Sequence, residues 1–432
     1  MPRTMHLMAY LKTGATAVHP GGWRHPQTDL HDVFSPARYE HIARVLEAAC
    51  FDGCFYADTL GIPDVYTDSI RPYVEYGGQL SHLDPMMVLP VMARVTRHLG
   101  LGATLSTTFH QAYHLARMLA SLDFLSGGRA CWNIVTSSMD FEARNFGRQS
   151  MDAVQNRYDQ ADEMVEACCA LWDCWGADAL VLDKASGRFA DPDKVHRADY
   201  EGKYVRVRGP LTMPRSPQGR PVLMQAGSSP RGRAFAARWA EVIFASSHGI
   251  ADASAFYQDI KGRMEAQGRN PAHCQICPAL TVVVAETESI AREKAEYLDS
   301  LTPPELELAT SSAMLGADLS KIGTVEELEA ARGHQGHGGH VDRVRAKMAA
   351  DKASFTEATR NRRRTIIGTA TQVADHMEAM FQAGACDGFV VMGNVTPGMF
   401  EDFARMVVPE LQRRGLFRTA YAAETLRGNL LA

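Results

Sequence analysis

The chain has 432 residues, of which 46% are hydrophobic and 22% charged, with a formal net charge of −5. That balance suits one large or two ordinary globular domains, and it argues against nucleic acid or an anionic membrane surface as the main partner. No apolar run approaches the length of a membrane span, no signal peptide is evident, and nine irregularly spaced cysteines suit a reducing cytoplasm better than a disulfide framework.

In chain order, apolar or β-branched runs at 4–11, 53–58, 99–107, 129–137, 221–226, 241–247, 276–285 and 387–393 read as strands. Helical periodicity occupies the intervals between them. The first helix opens with Ser35 as cap and Pro36 at the first helical position, and carries Tyr39, Ile42, Val45, Leu46 and Ala49 along one face. Further helices are expected over 84–98, 111–125, 150–175, 231–240, 251–268, 288–300 and 370–384. Eight strands alternating with helices describe a (β/α)8 barrel, of the class also called a TIM barrel, with an open doubly wound sheet as the alternative. We expect one domain over 1–432, with loop-side insertions at 176–220, rich in Asp, Gly, Pro and Arg, and at 301–365, a candidate lid.

In a barrel of this kind the chemistry sits where strands end. Asp58 ends the second strand, and Thr104, Ser106, Thr107 and Thr108 finish the third. Asn133, Thr136 and Ser137 finish the fourth, and Gln225, Gly227, Ser228 and Ser229 the fifth. Asn133 is the odd member, because an amide inside an apolar strand is costly to bury without partners. Four successive polar strand ends suit a large polar ligand lying across the mouth.

Within "QAGSSPRGR", Gly227 permits a tight turn and Ser228 or Ser229 can cap the helix beginning near Pro230. Free amides at that helix start, two hydroxyls, and Arg231 or Arg233 nearby compose a phosphate cradle; the alternative is a capped helix with a solvated basic turn. "GLGAT" at 100–104 lacks the third glycine of a dinucleotide fingerprint and continues a strand, so we find no nicotinamide site. His25 is a candidate for moving a proton near neutral pH or else a surface histidine. His334, His337 and His340 lie in a glycine-rich stretch that reads as a loop, not a metal site, "RNRRR" reads as a solvated face, and Cys274 and Cys277 read as buried thiols. No metal is expected.

The stretch "GRACWNIVTSSMDFEARNFG" at 128–147 closely resembles the signature of the bacterial-luciferase-like flavin monooxygenases. More narrowly, it is similar to the branch containing nitrilotriacetate and EDTA monooxygenases, the pristinamycin oxidase subunit and dibenzothiophene-sulfone monooxygenase. "GGWRHP", "FYADTLG", "LGLGATLSTTFHQAYHLAR", "RYDQADEMVEA", "ACDGFVV" and "VVPELQRRGLFRTAY" fit the same family in order. The resemblance implies reduced FMN delivered by a separate NAD(P)H:flavin reductase, O2 as co-substrate, and a homodimer or homotetramer. It implies that Asp58, Thr104, Asn133, Tyr158, Ser228 and Ser229 touch FMN, with the two serines at its phosphate.

Two departures stand out. Val154 occupies a position, four residues before Tyr158, where the family often has a histidine, and Ala313 stands where the sulfone-cleaving members carry one. Phe55, Phe109 and Phe244, near strand ends, would form the wall for an apolar or aromatic substrate. The expected outcome is oxygen insertion beside a heteroatom with cleavage of a C–S, C–N or carbon–halogen bond. A deazaflavin-dependent oxidoreductase or a non-catalytic flavin-binding protein on the same fold are the alternatives.

Overall fold

The computed structural model describes residues 3–432 apart from 17, 29, 31, 247–248, 334–335, 337 and 361–363. His334, His337 and much of "RNRRR" therefore lie outside the described residues. Eight parallel strands close on themselves: His6–Leu11, Gly53–Tyr56, Gly100–Ser106, Ala130–Val135, Val222–Gln225, Val242–Ala245, Gln275–Val284 and Gly388–Met392. The first six pair in sequence order. The sixth then pairs with the seventh, the seventh with the eighth, and the eighth with the first. The open sheet is thereby excluded, and every strand's C-terminal end lies at one mouth.

Alternation along each strand sends one set of side chains inward. Met8, Phe55, Cys131, Val222, Met224, Val242, Cys277, Val390 and Met392 form this interior cluster, with Tyr10, Ala57 and Phe244 packed against it. Leu426 and Leu430, from the C-terminal helix Leu426–Leu430, belong to the same cluster and close the lower end. The third strand gives glycine where its neighbours give bulk. A Cβ on Gly100 would lie 2.5 Å from Leu426 Cδ1, and one on Gly102 2.7 Å from Phe55 Cβ.

The helices form the outer ring. Ser35 caps Pro36–Ala48 by accepting from the Ala37 amide at 3.3 Å, and Tyr39, Ile42, Ala43 and Leu46 are its buried face. The helix expected over 84–98 is Pro85–Ala93. The buried Arg129 guanidinium takes the carbonyls of Ala93, Thr96 and Leu99, which turns the chain out of the helix early. Two helices read from the sequence, Glu288–Ser300 and Ala370–Gln382, both lie between the seventh and eighth strands. The helical segment after the eighth strand, Gly398–Arg413, escaped the periodicity. Pro409 lies within it and has no N–H to give, and the preceding turn, Phe403–Val407, widens to a π-helix.

A further strand missed in the sequence, Thr365–Gly368, extends the seventh strand's upper end by pairing with Thr281–Val284. The segment between the fourth-strand helix Val154–Trp172 and the fifth strand carries two small antiparallel hairpins. The other long excursion holds the helices Pro304–Leu315, Val325–Arg332, Gly338–Asp351 and Phe355–Thr359. It has an apolar cluster of its own, including Leu315, Leu328, Val341, Val344 and Phe355. Helix Pro304–Leu315 packs through Leu306, Ala309 and Ala313 on Tyr73 and on Ile62, Tyr66 and Leu80 beyond the second strand. The Gly336 amide donates to the Ser138 carbonyl at 3.2 Å, tying the excursion to the end of the fourth strand.

Because Phe55 fills the space left by Gly102, Gly102→Ala is expected to destabilise the fold by roughly 1–3 kcal/mol through overpacking. Urea unfolding followed by tryptophan fluorescence measures this, and an unchanged midpoint would show that the interior yields.

Candidate active site at the barrel mouth

Thr104 and Asn133 face each other from the paired third and fourth strands, both buried. Asn133 Nδ2 donates to Thr104 Oγ1 at 2.8 Å, while Asn133 Oδ1 is buried with no partner. A vacant buried acceptor costs roughly 1–3 kcal/mol, so a ligand donor at this point recovers what the free protein lacks. The chain then turns through Ser137, whose φ of +51° lies in the left-handed region that non-glycine residues seldom occupy. Ser137 Oγ bonds Ser106 Oγ at 3.0 Å, Thr108 Oγ1 donates to the Thr136 carbonyl at 2.8 Å, and the Thr107 amide donates to the Val135 carbonyl at 2.9 Å. These bonds spend the hydroxyls of Thr108 and Ser137 on the turn itself.

At the fifth strand's end the cradle is built by close approach. Ser229 Oγ caps helix Pro230–Trp239 by accepting from the Gly232 amide at 3.1 Å. Helix Val154–Trp172 brings the Tyr158 hydroxyl into the same turn, where it hydrogen-bonds the Ser229 and Gln225 side chains. A Cβ on Gly227 would lie 2.2 Å from Gln225 Nε2 and 2.5 Å from the Tyr158 hydroxyl, and one on Gly232 2.8 Å from that hydroxyl. Gln225 Oε1 is a second buried acceptor without a partner. Burial pushes the Tyr158 phenol above its ordinary pKa, so it remains a donor.

The two arginines of the cradle are already engaged. Arg231 pairs with Asp159 at 3.0 Å and with Asp162, and Arg233 pairs with Asp259 at 3.0 Å and donates to the Ser228 carbonyl at 2.9 Å. What remains for an anion is the helix start and the hydroxyls. Ser228 is exposed beside them. Val154 is the exposed first residue of its helix, one turn before Tyr158 on the same face.

Three charged groups at the mouth carried no signal in the sequence. Glu142 is buried and accepts from the Leu60 amide at 3.2 Å; burial holds its carboxyl above the usual range, and the charge of Asp58 adds to this. Asp58 is raised by burial as well, against hydrogen bonds from Ser81 and the Thr59 amide. Arg157 donates to the Ser137 carbonyl and leaves its Nε buried without a partner. Lys12 is 8% exposed just past the end of the first strand. Lys12 and Arg157 each lie one residue from a feature the sequence marks and Glu142 lies within the 128–147 stretch, and only the folded chain turns them inward.

The aromatic candidates divide. Phe55 and Phe244 meet, with ring centroids 5.9 Å apart, and Tyr10 joins them at 5.5 and 6.1 Å, forming a floor beneath the mouth. Phe109 stands apart, stacked on Phe146 at 4.4 Å with Arg148 over it. His25 is also apart: it meets Tyr297 edge-on at 5.7 Å, accepts from the Gln27 amide, and has Lys294 and Asp402 as its neighbouring charges. Burial, followed by Lys294, lowers its pKa. A surface groove of about 680 Å³ lined by Asp162, Arg231, Arg238, Trp239 and Arg269 lies on the helical wall, away from this cluster. Cys274 and Cys277 are fully buried, with the Cys274 thiol pushed up to about 12, and the described residues contain no cluster able to hold a metal.

This arrangement has counterparts among known proteins. The family model for luciferase-like monooxygenases matches residues 14–387. The dibenzothiophene-sulfone monooxygenase of Rhodococcus erythropolis (strain XP) is 43% identical over 99% of this chain and 96% of its own length. Component A of the nitrilotriacetate monooxygenase of Aminobacter aminovorans is 38% identical over 96% of this chain and 94% of its own. The crystal structure of a riboflavin lyase with modified FMN and its substrate riboflavin superposes with a TM-score of 0.89 at 33% identity, covering 99% of this chain and 96% of that one. The chain belongs to the luciferase-like monooxygenase family, and the closed barrel with its polar mouth is that family's flavin-dependent monooxygenase fold.

Proposed function

We propose that the protein is the oxygenase half of a two-component system. It binds FMN reduced by a separate NAD(P)H:flavin reductase, consumes O2, and oxidises a small organic compound with an apolar or aromatic body. Bound and reduced, the flavin supplies the electrons with which O2 is activated and one oxygen atom inserted. The observation that carries this reading is the buried Asn133 amide with its free Oδ1, set beside Thr104, on the strand paired with the one that leads into the Tyr158, Gly227 and Ser229 cradle.

The roles of the chain follow from placement. The Gly227–Gly232 turn, the Tyr158 hydroxyl and the serines hold the phosphate; Asn133 and Thr104 orient the polar edge of the ring; Asp58 lies at the same mouth. The excursion over 301–365 acts as the lid, since it already touches Ser138 and packs on the loop beyond the second strand. Asp58 and Glu142, whose carboxyl pKa values burial raises, are the acids at the mouth placed to exchange a proton, while His25 packs edge-on against Tyr297. The names of the relatives favour breakage of a bond to sulfur or nitrogen. Ala313 packs on Tyr73 and Leu306, so no imidazole stands at that point of the lid. A cytoplasmic homodimer or homotetramer completes the proposal.

Anaerobic titration with reduced FMN, followed by mixing with oxygenated buffer and candidate substrates, tests it: FMN binding with substrate-dependent product supports an oxygenase, and binding without turnover leaves a flavin-binding protein. Gly227→Ala is expected to weaken FMN binding about tenfold or more, about 1.4 kcal/mol, by driving its Cβ into the Tyr158 hydroxyl. Flavin fluorescence reads that change directly.

The raised carboxyl of Glu142 gives a signed pH dependence. Its ionised form is disfavoured in the fold relative to the unfolded chain, so the penalty is present well above the ordinary value of 4.5 and vanishes below it, where both states are protonated. Glu142→Gln keeps the acceptor for Leu60 and is expected to raise the thermal midpoint at about pH 8, with the gain fading at about pH 4. A midpoint that falls at both pH values would show that the charged carboxylate is stabilising.

A further inference from the structure

The inward face of the first strand runs Met8, Tyr10 and then, just past its end, Lys12. Lys12 thus stands above Tyr10 on the side of the chain that faces the barrel mouth. It is 92% buried, yet its ammonium makes only two long hydrogen bonds, both at 3.4 Å, to Thr59 Oγ1 and the Gln79 carbonyl. Among the described residues it forms no ion pair. Asp58 is its acidic neighbour, and the Asp58 carboxyl is occupied with the Thr59 amide and Ser81.

A buried cation is ordinarily paired or saturated with acceptors. The rest of this molecule obeys that rule. Lys261 has Asp387 at 3.1 Å and the Pro271 carbonyl at 2.8 Å, and Arg129 spreads its guanidinium over four backbone carbonyls and Thr96 Oγ1. Arg157 has one bond, but Asp140, Glu142 and Asp152 surround it. Lys12 has the thinnest set of partners of these cations, two long bonds and the one acidic neighbour Asp58, and the backbone around it is fixed. Thr13 Oγ1 accepts from the His82 and Leu83 amides at 3.1 and 3.2 Å, and Thr16 Oγ1 donates to the Gly77 carbonyl at 2.6 Å. The 77–83 loop is thereby pinned along the 12–16 segment.

Position decides what the charge addresses. In a ring of eight strands the first lies opposite the fifth, where the phosphate cradle is built. Lys12 therefore sits across the mouth from the cradle and directly above the floor of Tyr10, Phe55 and Phe244. An apolar surface with one underpaired cation at its rim fits an amphiphilic anion.

We propose that Lys12 is a specificity-determining residue of the substrate pocket, and that the substrate is an organic acid whose apolar or aromatic body covers Tyr10 and Phe244 while its carboxylate, sulfinate or sulfonate oxygens bond Lys12 Nζ. The assignment rests on the reading of this mouth as an oxygenase site. It narrows that reading from apolar compounds in general to those carrying an oxyanion.

The test is isothermal titration of the full chain, with and without FMN, using benzoate and its neutral counterpart benzamide. Wild-type protein is expected to prefer benzoate by about tenfold or more, Lys12→Arg to keep a preference, and Lys12→Met to bring the two ligands within about twofold. Lys12→Met retains the apolar stem, and its thermal midpoint checks that it folds. Equal binding of the two probes by the wild type, or an undiminished preference in Lys12→Met, overturns the assignment. So does a loss of FMN affinity of about tenfold in Lys12→Met, because the cation would then serve the reduced ring. Should the wild type bind no FMN, the oxygenase reading falls while the benzoate preference measured without FMN still decides what Lys12 recognises.

Discussion

The constraint on which the rest depends is the closure of a parallel sheet. The sixth strand bonds to the seventh through Val242–Ala245 against Gln275–Pro278, and the eighth bonds to the first through His6–Tyr10 against Gly388–Met392. Once closed, a parallel ring leaves no edge and gathers all strand ends at one face. Asp58, Thr104, Asn133 and Gln225 come from four different strands, and only closure brings them around a single opening. The interior that closure encloses must also be filled, which is why Gly102 yields its space to Phe55 and why Leu426 closes the lower end against Gly100.

Stability and function divide the polar groups of this molecule between them. Below the mouth, Asp52 is fully buried with His6 Nδ1 and the Leu7 amide at 2.8 Å and with Arg418 beside it. In the cradle, Arg231 and Arg233 are likewise committed to aspartates. At the mouth the pattern reverses. Asn133 Oδ1 and Gln225 Oε1 lack partners, Lys12 has two long bonds and Asp58 as its acidic neighbour without a direct ion pair, and Glu142 and Asp58 are raised by burial. Such unfinished groups reduce the stability of the free protein and are sites where a ligand completes the bonding. Their concentration at one end of one barrel marks the site more sharply than any single residue.

The excursion between the seventh and eighth strands is the segment proposed above as the lid of this site. Its helices have their own apolar cluster, so it keeps its shape, while its contacts with the barrel include the packing of Pro304–Leu315 on the 62–80 loop and the bond from Gly336 to Ser138. The Gly336 position has φ +72° and a Cβ there would lie 2.6 Å from the Leu315 carbonyl carbon, so the turn requires glycine. Ser138 follows the strained Ser137. Excursion and strand end therefore meet at one backbone segment.

The sequence alone determined the eight strands of the barrel, because eight apolar or β-branched runs alternate with helical periodicity, and it marked Asp58, Thr104, Asn133, Tyr158 and the Gly227–Ser229 turn by where they fall at strand ends and in motifs. Only the tertiary structure decided which of them converge. Phe109 and His25 sit at equally suggestive places in the chain, yet one stacks on Phe146 and the other meets Tyr297 edge-on, since loop residues take their direction from packing partners remote in sequence. Lys12, Glu142 and Arg157 were invisible for the converse reason. A charged residue beside a strand end ordinarily faces solvent, and nothing local distinguishes one that the closing barrel and the 77–83 loop will bury. Local pattern is set by the periodicity of strand and helix, which neighbours in the chain encode; burial and charge pairing are set by contacts between residues tens to hundreds of positions apart, which only the folded chain brings together.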